Sequence, residues 1–109
     1  MNPYALWIQN LPQVDTPFDG MDGRMISGPD GQAVFFRAAE RTEVPVHSHG
    51  AQWGVVVSGP LHLTINGEEG IYRPGETYHI PDGAEHSAIL EAETCVIDVF
   101  ADPDRYNPK

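Results

Sequence analysis

The chain has 109 residues, enough for one domain with one modest core and too few for two. Acidic residues outnumber basic ones 16 to 6, for a formal net charge of −10 spread along the chain. That balance argues against nucleic acid and anionic membrane surfaces as partners. Glycine (11) and proline (10) are frequent enough to favour many short strands over long helices.

In chain order, residues 1–31 read as an N-terminal extension. Its apolar cluster of Tyr4, Leu6, Trp7, Ile8 and Leu11 ends at Pro12 and is expected to form a strand. That strand lies on the barrel, crosses to a partner subunit, or closes the chain's own barrel. Residues 15–25, DTPFDGMDGRM, read as loop. The N-terminus lacks the basic stretch of a signal peptide, and the longest apolar runs, such as 53–57, are too short to span a bilayer. A cytoplasmic protein without membrane association is therefore expected.

Turn signals then recur every few residues: Gly28-Pro29-Asp30-Gly31, Ser58-Gly59-Pro60, Asn66-Gly67, Arg73-Pro74-Gly75 and Pro81-Asp82-Gly83. Between them, strands are predicted at 32–38, 45–49, 53–57, 61–65, 69–72, 77–80, 86–90 and 94–100. The Asn66-Gly67 pair predicts a tight hairpin, because a type I′ turn needs positive φ at both central residues. Alternation puts Leu61, Leu63 and Ile65 on one face of their strand and His62 and Thr64 on the other. Short strands in such number hide their edges as a two-sheet sandwich or a small barrel, here over residues 32–103 with a tail at 104–109. Cys95, the single cysteine, lies in the apolar run TCVIDVF and reads as a small core residue.

Three histidines and a glutamine carry the chemistry. His47 and His49 stand two apart on one predicted strand, so their rings share a side. Gln52 follows at the entry to the next strand, and His86 comes just past the Pro81-Asp82-Gly83 turn. In a curled barrel the four side chains can converge, giving a nitrogen and oxygen donor set suited to a divalent transition metal. No glycine-rich phosphate-binding pattern is present.

The stretch from His47 to Gly59, HSHGAQWGVVVSG, resembles the first motif of the cupins. The stretch from Gly75 to His86, GETYHIPDGAEH, resembles the second, and the likeness extends over residues 33–103. The resemblance implies an all-β, single-domain double-stranded β-helix, or jelly-roll barrel, with His47, His49 and His86 as ligands of a central metal. Three positions depart from the family pattern: Arg41 replaces a glycine, Leu90 replaces an asparagine, and Gln52 stands where a glutamate ligand is usual.

Glutamine brings a neutral oxygen, so three imidazoles and an amide leave a divalent ion's charge uncompensated. Weaker metal binding and a greater attraction for an anionic ligand follow. Gln52 either ligates the metal or hydrogen-bonds a water on it. Tyr78, His79 and Asp98 are candidate catalytic residues. Tyr78 either lines the pocket or is an ordinary strand aromatic; Asp98 either orients a ligand histidine or pairs with an arginine near the barrel mouth. His62 either lines the barrel or is solvated.

The family resemblance implies a metal (Fe, Mn, Ni, Cu or Zn) and a small-molecule ligand in the barrel. It allows a metal-dependent enzyme of dioxygenase, isomerase, lyase or cyclase type; the alternative is a non-catalytic small-molecule or metal-binding module. Uncovered strand faces and the Tyr4 to Leu11 cluster predict a homodimer.

Overall fold

The structure is a computed structural model and describes residues 2–109. Its strands are β1 (Met21–Gly28), β2 (Gly31–Ala38), β3 (Thr42–His47), β4 (Gln52–Ser58), β5 (Leu61–Ile65), β6 (Glu68–Tyr72), β7 (Thr77–Ile80), β8 (His86–Leu90) and β9 (Cys95–Phe100). A single helical turn, α1 (Leu6–Gln9), precedes them. Two antiparallel sheets, ordered β1-β2-β9-β4-β7 and β3-β8-β5-β6, face each other as a jelly-roll barrel. No helix among the described residues is long and apolar enough to cross a membrane.

Alternation builds the interior. β2 sends Val34, Phe36 and Ala38 inward, β5 sends Leu61 and Leu63, and β7 sends Tyr78 and Ile80. Val34, Val56 and Ile80 are fully buried; each contributes about 2 kcal/mol of hydrophobic stabilisation. Cys95 is buried in this core as a free thiol. The hairpin between β5 and β6 turns at Asn66 and Gly67, with φ of 49° and 82°. Positive φ at both positions is what Asn-Gly supplies at little steric cost.

Three expectations are corrected. The Tyr4 to Leu11 cluster forms no strand: α1 leaves Leu6 and Trp7 exposed, and pairing begins only after it, in isolated bridges from Gln13 to Arg24 and from Val14 to Pro108. Tyr4 anchors the segment, its hydroxyl 2.7 Å from the Phe36 carbonyl oxygen and its ring edge-on to Phe35. Residues 21–25 are not loop but the first half of β1, paired along β2. The pattern was hidden because a glycine occupies an inward position. A Cβ on Gly23 would collide with Val14 and Phe36, so close packing there requires glycine. Finally, β3 ends at His47, after a register irregularity between Val44 and His47, so His49 lies in the following loop and not on the strand.

Candidate metal centre

The topology brings distant histidines to one place. β3 and β8 are neighbours, and their register sets His47 directly opposite His86. The loop after β3 carries His49 back over them, held where the Gly83 N–H donates to the His49 carbonyl. Ring centroids lie 4.2 Å apart for His47 and His86, 4.7 Å for His49 and His86, and 5.2 Å for His47 and His49.

Each ring is fixed in the same sense. Nδ1 of His47 donates to the Pro45 carbonyl at 2.9 Å, that of His49 to Gly50 at 2.8 Å, and that of His86 to Ala84 at 2.9 Å. A carbonyl oxygen can only accept, so the proton sits on Nδ1 and each neutral ring keeps a bare Nε2 lone pair. The Nε2 atoms of His49 and His86 face each other at 3.1 Å. Two bare nitrogens that close repel unless a cation lies between them. Neighbouring donors on an ion bound at about 2.1 Å stand about 3.0 to 3.4 Å apart, so the spacing fits. The three rings each present a ligand atom, all within 4.8 Å of one another, and could hold a metal ion. Burial lowers the pKa of His49 to about 4 and that of His86 below the ordinary value, with Arg105 and the neighbouring rings adding to the effect. Both therefore remain neutral donors near pH 7.

The rings border an interior cavity of about 80 Å³. Gln52, buried at the start of β4, lines it with Tyr78 and Asp98. The Tyr78 hydroxyl donates to Asp98 Oδ1 at 2.5 Å, and Gln52 faces the same interior from the neighbouring strand. Asp98 thus does neither thing expected of it. Among the described residues no hydrogen bond or ion pair joins it to a histidine or an arginine, and its hydrogen-bond partner is the Tyr78 phenol. Burial raises the Asp98 pKa to about 6, against the opposing pull of the donors near it, Tyr78 first and then Gln52. Burial also pushes the Tyr78 hydroxyl far above its usual range, so it stays a donor.

His79 and His62 are not part of this cluster. Alternation along β7 buries Tyr78 and Ile80 and turns His79 outward, opposite Trp53. His62 lies opposite Ile71 and Ile89, bordering a groove on the outer face of the four-stranded sheet.

Arg105 is the site residue that sequence reasoning missed. Residues 104–109 read as a tail, yet Arg105 and Tyr106 line the cavity. The guanidinium lies 4.4 Å from the Tyr106 ring centroid and 5.7 Å from that of Phe100, with its Nε buried and without a hydrogen-bond partner. A lone arginine among acidic residues was the only available signal.

The model of the cupin domain matches residues 34–100. The chain belongs to the cupin family. Solved cupin structures overlay most of it. KdgF from Halomonas sp. is 27% identical with a TM-score of 0.74, the match covering 84% of this chain and 86% of that one. An RmlC-like cupin from Shewanella frigidimarina NCIMB 400 is 21% identical with a TM-score of 0.77, covering 96% and 94%. Salicylate 1,2-dioxygenase from Pseudoaminobacter salicylatoxidans, in adducts with gentisate, shares the fold at 18% identity and a TM-score of 0.72, over 81% of this cupin and 26% of the larger chain. No curated protein sequence is similar enough to count as a relative.

Proposed function

We propose that this cupin is a metal-dependent enzyme acting on a small organic anion. His47, His49, His86 and Gln52 hold a divalent transition metal at the barrel's centre. The observation that carries this is the meeting of the three imidazoles, each with Nδ1 committed to a backbone carbonyl and each with a ligand nitrogen within 4.8 Å of the other two. A divalent ion held there supplies Lewis-acid polarisation of a ligand oxygen.

The chain's own groups do the rest. Arg105, with an unpartnered Nε at the cavity, binds and orients the anion. The aliphatic and aromatic walls exclude water around it. Asp98, with its pKa near 6, can hold or release a proton close to neutral pH, while Tyr78 keeps its proton pointed at Oδ1. These two groups favour an enzyme over a binding module, because the cavity contains a titratable acid.

The test is reconstitution followed by titration with a panel of small hydroxy and keto acids. Near-stoichiometric metal is expected, with acid binding to the loaded protein and not to the metal-free one. Arg105→Gln is expected to keep the metal and weaken acid binding about tenfold or more, the scale of a lost charged hydrogen bond. A protein that takes up no metal from any of the five candidate ions refutes the proposal.

A homodimer remains the expected assembly. Register places Ile26, Ala33, Val99 and Trp53 in one row across the outer face of the five-stranded sheet. Ile26, Val99 and Trp53 are 46%, 42% and 44% exposed, a continuous apolar stripe for a second copy to cover. Sedimentation at micromolar concentration should give twice the chain mass, and a monomer there would refute the assignment.

A further inference from the structure

We infer that Asp98 is a positioning residue that grips the Gln52 amide from behind and supplies, one side chain removed, the negative charge that position 52 lacks. The inference rests on the proposal that Gln52 joins the histidines.

The geometry follows from three neighbouring strands. β4 lies between β7 and β9, and Gly54 stands opposite Tyr78 on one side and Asp98 on the other. All three positions, and Gln52 two residues before Gly54, face the interior. Because Gly54 has no side chain, the Tyr78 hydroxyl and the Asp98 carboxylate meet across it. A Cβ there would overlap both. Asp98 also reaches diagonally to Gln52, a distance long side chains can bridge in a sheet.

The carboxylate accepts from the Tyr78 hydroxyl and has Gln52 as its diagonal neighbour on the next strand, so the Gln52 side-chain NH₂ is the second donor within its reach. An amide has one donor end and one acceptor end. Committing the NH₂ of Gln52 to Asp98 leaves its Oε1 as the end free to face the histidines. The hydrogen bond also polarises the amide and increases negative charge on Oε1. Ligand-orienting partners of this kind are common behind metal-binding histidines and carboxylates. Here the partner carries the charge and the ligand is neutral. Leaving Asp98 buried without such donors would be costly, which explains why it is accompanied by both.

The arrangement makes an unusual prediction for Gln52→Glu. On its own, the change sets two buried carboxylates in contact, so one must take up a proton or be pushed away. Exchanging the two positions, as Gln52→Glu with Asp98→Asn, keeps one carboxylate, one amide and a hydrogen bond between them.

Co(II) alone serves as the probe, with calorimetric affinity, visible absorption of the bound ion and a thermal melt of each metal-free variant. Asp98→Asn should weaken Co(II) binding about 10- to 100-fold and alter the absorption band, with a cooperative melt retained. The exchanged double variant should recover affinity to within about twofold of wild type or better, giving strong non-additivity in the cycle. Folded Asp98→Asn protein that binds Co(II) like wild type overturns this inference and leaves the metal site standing. So does a weakened Asp98→Asn that the exchange fails to rescue. A wild type that binds no Co(II) removes the metal site and this inference together.

Discussion

Replacing His86 with alanine should weaken Co(II) binding by at least about 100-fold, a larger loss than removing a partner that merely orients a ligand. His86 sits at the centre of the cluster, with His47 opposite it in the sheet and His49 Nε2 at 3.1 Å from its own Nε2. Its Nδ1 is held by Ala84, so no other atom of the ring can substitute. The metal-free variant should still melt cooperatively, though at a lower temperature than metal-free wild type, because a buried ring and its hydrogen bond to Ala84 are lost. What disappears is the stabilisation that added metal gives the folded state. His62→Ala and His79→Ala, whose rings face outward, should bind Co(II) within about twofold of wild type. Acidification provides a second check. A protonated imidazole cannot ligate. Metal should be lost on acidification, with protonation of His49, held to about 4, and of His86 competing only below the ordinary imidazole value. Metal binding insensitive to acid, or retention of metal by His86→Ala, would contradict the assignment.

Gly54→Ala should destabilise the fold by about 3 kcal/mol, at the upper end for overpacking a core. The added methyl would overlap the Tyr78 ring and the Asp98 carboxylate. Neither can withdraw easily: Tyr78 and Asp98 are 5% and 6% exposed and are hydrogen-bonded to each other. Separating them would also leave a buried carboxylate short of a donor. Gly28→Ala is the matched control, since a Cβ there meets nothing within 4 Å; its effect should stay within about 0.5 kcal/mol. Chemical denaturation of the two variants decides the matter. Equal midpoints would show that the Tyr78 and Asp98 side chains have room to yield.

Much of the barrel was legible because its signals are local. Asn66-Gly67 specifies its own turn through backbone sterics, and the alternation of Leu61, His62 and Leu63 assigns faces without knowledge of any other strand. The histidine spacing likewise pointed to His47, His49 and His86, although the reason given for the first two was wrong. They do not share a strand; a chain irregularity and a loop bring His49 into place. Edge strand β1 escaped notice because Gly23 occupies an inward position where an apolar side chain would have marked the period. Only packing against Val14 and Phe36 explains that choice.

The amino-acid order alone determined an acidic all-β chain of short hairpins and identified the imidazoles that meet, because turn propensity and alternation act between near neighbours. The partners of Asp98 and the use of Arg105 were decided only by the tertiary structure. A carboxylate in an apolar run announces that it needs donors but not which ones. Tyr78 becomes such a donor, with Gln52 within reach, because β7 and β9 flank β4 and Gly54 leaves the gap between them. Arg105 becomes part of the cavity because the chain after β9 folds back over the barrel mouth, where the Phe100 and Tyr106 rings receive its guanidinium.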